Sequence, residues 1–137
     1  MGAEAMTTGN PVTWDAARCV ARIGETLVAK KALDVTICDI AGVSSIADHF
    51  VIASGGSRIA VQALADAVRE TLAEDGVRPL RTEGYAEGRW VCLDYGDVVA
   101  HIFQSDIRRY FDLERLWGDA PQWHPQEARA LSAVATG

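Results

Sequence analysis

Apolar and polar positions alternate along this chain in two different rhythms, and the switches between them mark out the elements. Ala16, Val20, Ile23 and Leu27 recur at helical spacing with charged residues between them, which predicts a helix over 14–31, capped by Thr13. The β-branched run 34–40 then predicts a strand. A connection follows over 41–48, then a nearly continuous apolar run over 49–53, the pattern of a strand buried on both faces. Ser54-Gly55-Gly56-Ser57 interrupts it, with Ser57 placed to cap a second helix whose face carries Ala60, Ala63, Leu64, Ala67, Val68 and Leu72 and which ends near Asp75-Gly76.

The remainder reads as a meander. A strand over 80–83, a turn from Gly84 to Gly88, a strand over 89–95, a reversal at Gly96-Asp97 and a strand over 98–103 follow in order. Ser105 or Asp106 is placed to cap a short helix, and Asp112 to cap a final segment over 113–117, stopped by Gly118 and Pro121. The order α, β, β, α, β, β, β, α predicts an α/β fold: a single domain with one mixed sheet flanked by helices. Residues 1–12 read as a flexible leader, 13–120 as the domain, and 121–137 as a tail in which 128–134 has weak helical character.

At 137 residues, the chain suits one domain and is short for two. Acids outnumber bases, 19 to 13, for a net charge of −6. A protein that held nucleic acid mainly by its phosphates should be basic, so the charge favours a basic protein as partner and should repel bare RNA. Cys19, Cys38 and Cys92 form no CxxC pair, which argues against a disulfide scaffold and for a reducing compartment. Residues 1–12 carry no secretory pattern, and a cytoplasmic protein is expected.

Candidate chemistry is sparse. The Ser54–Ser57 junction between strand and helix offers free N–H groups that could hold an anion, but it lacks the lysine of a P-loop. A strand-GlyGlySer-helix opening also suits a nucleotidyltransferase. That chemistry needs carboxylates converging on metal ions, and no Asp-x-Asp pair follows: Asp66 and Glu70 are isolated, and Asp94 and Asp97 flank a turn. His49, His101 and His124 are far apart, and His101 sits among apolar strand residues. No metal or cofactor site is therefore expected. Between Glu83 and Asp119, eight acids face four arginines in a stretch rich in aromatic residues. That combination fits either a solvated surface over an ordinary core or a docking face for a basic protein.

Several stretches resemble one known family. They are Ala47-Asp48-His49-Phe50-Val51-Ile52-Ala53-Ser54-Gly55; Glu83-Gly84 with Gly88-Arg89-Trp90; Leu93-Asp94-Tyr95-Gly96-Asp97-Val98-Val99 with His101-Ile102-Phe103; and Arg109-Tyr110-Phe111-Asp112-Leu113-Glu114-Arg115-Leu116-Trp117-Gly118. In order and spacing they are similar to the ribosomal silencing factor (RsfS or Iojap) family; His49 and Phe111 stand where other residues are common. The resemblance implies a fold like a nucleotidyltransferase without catalytic carboxylates. It also implies a translational repressor, not an enzyme, that binds the large ribosomal subunit through the protein numbered fourteen of the large-subunit series. Subunit joining would be blocked sterically, chiefly under nutrient limitation, and the free protein would be a homodimer. The residues expected at the partner are Trp90, Asp94, Tyr95, His101, Arg109, Tyr110, Glu114 and Trp117. The remaining possibility is a nucleotide-binding enzyme using the Ser54–Ser57 turn.

Overall fold

The computed structural model describes residues 16–116, 118 and 120–125. Thr13, the leader over 1–12, Trp117 and the helical stretch expected over 128–134 lie outside them. The elements run α1 (Ala16–Ala29), β1 (Leu33–Asp39), β2 (His49–Gly55), α2 (Arg58–Glu74), β3 (Arg81–Glu83), β4 (Trp90–Asp94), β5 (Val98–Gln104), α3 (Ser105–Phe111), α4 (Leu113–Leu116) and β6 (Gln122–Trp123). The strands form one sheet in the order β3-β4-β5-β2-β1-β6. β2 and β5 pair in parallel and the other neighbours antiparallel, so the sheet is mixed, as the pattern predicts.

β2 and β5 lie at the centre, which explains their runs of buried residues: a strand with neighbours on both edges and layers on both faces shows no polar side. α1 and α2 cover one face. Ile23 and Leu27 of α1 and Val61, Val68 and Leu72 of α2 meet Val35, Val51, Leu93 and Ile102 from the strands, all of them completely buried. Each such aliphatic side chain contributes about 1.5–3 kcal/mol relative to exposure, so this layer is the main source of stability. The Ser57 hydroxyl caps α2 by accepting from the Ala60 N–H at 3.1 Å, and Gly76 ends that helix at φ +79°.

Four local expectations change. β2 does not stop at Ala53: Ser54 and Gly55 continue the ladder opposite Phe103 and Gln104. Neither Ser105 nor Asp106 caps α3; the cap position is Gln104, without a side-chain bond. Asp112 closes α3 in the left-handed region at φ 48°. The stretch expected as a tail opens as an edge strand instead, with Gln122 and Trp123 opposite Cys38 and Ile37. Two residues are too few for a period of two to be seen in sequence.

Candidate functional site

The second face of the sheet is covered differently. Side chains alternate along a strand, so register decides which residues share it. Trp90 stands opposite Phe103, Cys92 opposite His101 and Asp94 opposite Val99. Phe50, Ile52 and Ser54 of β2 and Thr36 and Cys38 of β1 fall on the same side. Among the described residues, the only helices on this face are α3 and α4, whose Ile107 and Leu113 pack on a small cluster around Phe103, Phe50 and Cys38.

Trp90 is the hub. The turn before β4 is held by Gly84 at φ +80°, where a Cβ would run into the Trp90 carbonyl. The indole stacks on Phe103 at 4.8 Å between centroids and meets Phe111 of α3 at 4.9 Å. Phe111 in turn meets Tyr110 edge-on at 5.1 Å. Trp90 is half-buried, while Phe111 is 50% and Tyr110 81% exposed. An aromatic ridge therefore climbs from the sheet into solvent.

The Trp90 indole N–H donates to His101 Nδ1 at 3.0 Å. Nδ1 must then carry a lone pair, which places the proton of the neutral ring on Nε2, a buried atom without a hydrogen-bond partner. Burial pushes the His101 pKa down to about 4, against an opposing pull from Asp94. Burial likewise pushes the Cys92 thiol up to about 11, with Asp94 and Glu83 adding to the rise. A thiol beside an imidazole could suggest a nucleophile and its base. Here both groups are held in their neutral forms, the reverse of what an ion-paired nucleophile needs.

In the middle of α3, Arg108 is 8% exposed and spends every arm of its guanidinium. Nε and Nη2 donate to Glu114 Oε2 at 3.0 and 2.6 Å, Nη1 to Ser54 Oγ at 3.0 Å and Nη2 to Thr36 Oγ1 at 3.0 Å. Glu114 thus serves as the partner of a buried arginine. Asp94 accepts the Gly96 N–H at 2.8 Å, shaping the β4–β5 turn, and lies 3.8 Å from Arg81.

The expected partner residues divide accordingly. Trp90, His101 and Tyr110 belong to one contiguous aromatic group, with Arg109 exposed on the same short helix as Tyr110. Asp94 flanks the group on β4 and is half-buried. Tyr95 is separated from them: past the end of β4 its ring packs into the α1–α2 layer, where burial raises the phenol to about 12. Trp117 lies outside the described residues. Phe111, Phe50 and Arg108 belong to the site but are not among the residues expected at the partner. Strand parity points to Phe50, but nothing in the sequence separates Arg108 from Arg109.

The Ser54–Ser57 turn is occupied by structural tasks. Ser54 accepts from Arg108, a Cβ on Gly55 would press on Val61 at 3.1 Å, and Ser57 caps α2. Among the described residues, no group of three or more His, Cys, Asp or Glu side chains could hold a metal ion, and no helix is long and apolar enough to cross a membrane.

Comparison with known proteins agrees on one lineage. The model of the family described as "Ribosomal silencing factor during starvation" (RsfS) matches residues 14–136. A protein of Halalkalibacterium halodurans named ribosomal silencing factor RsfS is 48% identical over 92 residues, 67% of this chain and 79% of that protein. Its namesake from Bacillus subtilis strain 168 is 46% identical over 92 residues, 67% of this chain and 78% of its own length. The crystal structure of a Chromobacterium violaceum protein superposes with a TM-score of 0.74 at 34% identity, covering 77% of this chain and 88% of that one.

Proposed function

Because the chain belongs to the ribosomal silencing factor family, we propose that it represses translation by docking on the large ribosomal subunit and standing where the small subunit must approach. The observation that supports this reading most directly is the aromatic ridge Trp90–Phe111–Tyr110, which rises from an otherwise well-packed sheet and ends in a tyrosine that is 81% exposed. Trp and Tyr combine large contact area with one polar atom and are favoured at the centres of protein interfaces.

The partner is a basic ribosomal protein, the one numbered fourteen of the large-subunit series. The net charge of −6 favours that encounter and speeds it. Arg109 offers a planar fork to a carboxylate at the rim. Silencing then needs no chemistry: the domain acts by occupancy, and its effect follows concentration and affinity by mass action. The tasks of the Ser54–Ser57 turn and the neutral states of Cys92 and His101 support a protein that is not an enzyme. The setting is the cytoplasm under nutrient limitation, and free molecules pair as homodimers.

Sedimentation of purified subunits tests the reading. Added protein should shift joined ribosomes toward free subunits and itself travel with the large one. Undiminished joining at saturating protein would reject it.

A further inference from the structure

Between α1 and the β1–β6 edge of the sheet lies an open apolar groove of about 430 Å³. Ala17, Ala21, Gly24 and Val28 of α1, Ile37 of β1 and Trp123 of β6 line it, and Glu25 is the acid at its rim. Trp123 stands opposite Ile37, which belongs to the helix-covered core, so its ring lies on the α1 side of the sheet, 42% exposed. The groove is thus on the face away from Trp90 and at the edge of the sheet farthest from β3. The docking reading makes no use of it. An exposed apolar hollow of this kind marks a place where something else packs.

The chain itself leads into this hollow. Pro125 is one of its walls, with the ring 3.6 Å from where a Cβ on Gly24 would stand. The backbone at Pro125 is helical, and proline suits the first position of a helix. Residues 126–137 follow directly. Ala128, Leu131, Val134 and Ala135 recur at helical spacing, Glu127 falls in the first turn, where an acid is favoured, and the base of the segment, Arg129, complements Glu25. A helix over 125–134 is about 15 Å long, and Ala17, the far wall on α1, is about 10 Å from Gly24 along that helix. The leader also meets α1 at this groove, but residues 1–12 carry Gly2, Gly9 and Pro11 and no apolar period. We propose that residues 126–137 fold back as a helix on their own chain and fill this groove with Leu131 and Val134. A tethered segment reaches the groove at high effective concentration, an advantage that a second copy lacks. Seated there, it covers Trp123 and clamps β6, a strand of two residues, over the edge of β1. This inference does not depend on the docking reading.

Amide hydrogen exchange on the full chain tests it. In wild type, amides within 128–134 should exchange on the order of tenfold more slowly than in an unstructured peptide of the same sequence, and dilution of the protein should not change their rate. Two variants break the contact from opposite sides: Leu131→Asp/Val134→Asp in the segment, and Ala21→Arg at an exposed position of α1, where arginine is a good helix former. Both should bring 128–134 to the rate of the free peptide and speed exchange at 122–124. Exchange in β2 and β5 should stay as in wild type, which shows that the variants are folded. Free-peptide rates at 128–134 in wild type overturn the proposal. Protection there that survives Ala21→Arg overturns it too, since the segment would then rest elsewhere. Protection that fades on dilution assigns the groove to the segment of a second copy, and an effect of Ala21→Arg confined to residues 1–12 assigns it to the leader; either result overturns the proposal. Ribosome binding is not read in this experiment, so the docking reading stands or falls separately.

Discussion

The two faces of the sheet are cut from the same strands, alternate residue by alternate residue, and are built on different principles. On the α1–α2 side, Val91 and Leu93 of β4 and Ala100 and Ile102 of β5 are completely buried among aliphatic neighbours. On the other side, the residues between them are Trp90, Cys92, His101 and Phe103, where polar atoms are mixed with rings and two short helices give partial cover. The first face needs only volume and shape. The second depends on particular pairings: indole to imidazole, and guanidinium to carboxylate and two hydroxyls. If docking uses the second face, as proposed, stability and docking lie on opposite sides of one ladder, and mutations can separate them.

The largest expected effect challenges the idea that the second face is held weakly. Arg108→Ala removes a nearly buried charge and leaves Glu114, Ser54 and Thr36 without their donor. Breaking a buried pair from one side costs about 3–5 kcal/mol. Urea unfolding should show that loss, and docking should fall as α3 comes away from β1 and β2. A loss below ~1 kcal/mol would mean that the ridge stands without this clasp.

Next comes the helix-covered face. Ile102→Ala opens a cavity in the aliphatic layer and should cost about 2–5 kcal/mol. Molecules that remain folded should bind the large subunit as wild type does, because Ile102 points away from Trp90. A binding defect that persists in the folded fraction would erase the division between the faces.

How visible this division is in the sequence depends on the length of the element. The parity of 90–94 and 98–103 can be read because each strand runs for at least five residues. Tyr95 follows the odd parity of Val91 and Leu93, which lays its ring against the helices and away from Trp90; only the resemblance sets it beside Asp94 at the partner. β6 is too short to show any period. Arg108 and Arg109 are adjacent in a seven-residue helix; which one turns inward is decided by Ser54 and Thr36, 54 and 72 positions away. Such a choice is a long-range fact that no local pattern carries.

A pH experiment sharpens the comparison on the same side. The unfolded chain takes a proton on His101 near the ordinary 6.5, whereas the folded chain resists until about 4. Between these values the unfolded state binds more protons, so stability falls as pH drops through that window and levels off below it. The whole descent amounts to about 3 kcal/mol. Denaturation at pH 7, 5.5 and 4.5 should trace this fall in wild type. The Trp90→Phe/His101→Phe double variant, which removes donor and acceptor together, should lack this part of the pH dependence. Parallel curves for the two proteins would show that the imidazole titrates freely.

The smallest effect on the fold is the sharpest probe of the docking side. Tyr110 is 81% exposed and touches the body of the protein through Phe111. Surface substitutions of this kind usually change stability by less than about 0.5 kcal/mol, so Tyr110→Ala should unfold with wild type. At the crest of an interface the same truncation commonly costs more than ~1 kcal/mol of binding, and aromatic anchors reach ~2. Titration against large subunits should therefore show a roughly five- to thirtyfold weaker complex, mostly through faster dissociation. Because fold and binding respond so differently at this position, an unchanged affinity cannot be blamed on a damaged protein. It would mean that the partner rests elsewhere on the molecule and that the ridge is merely exposed.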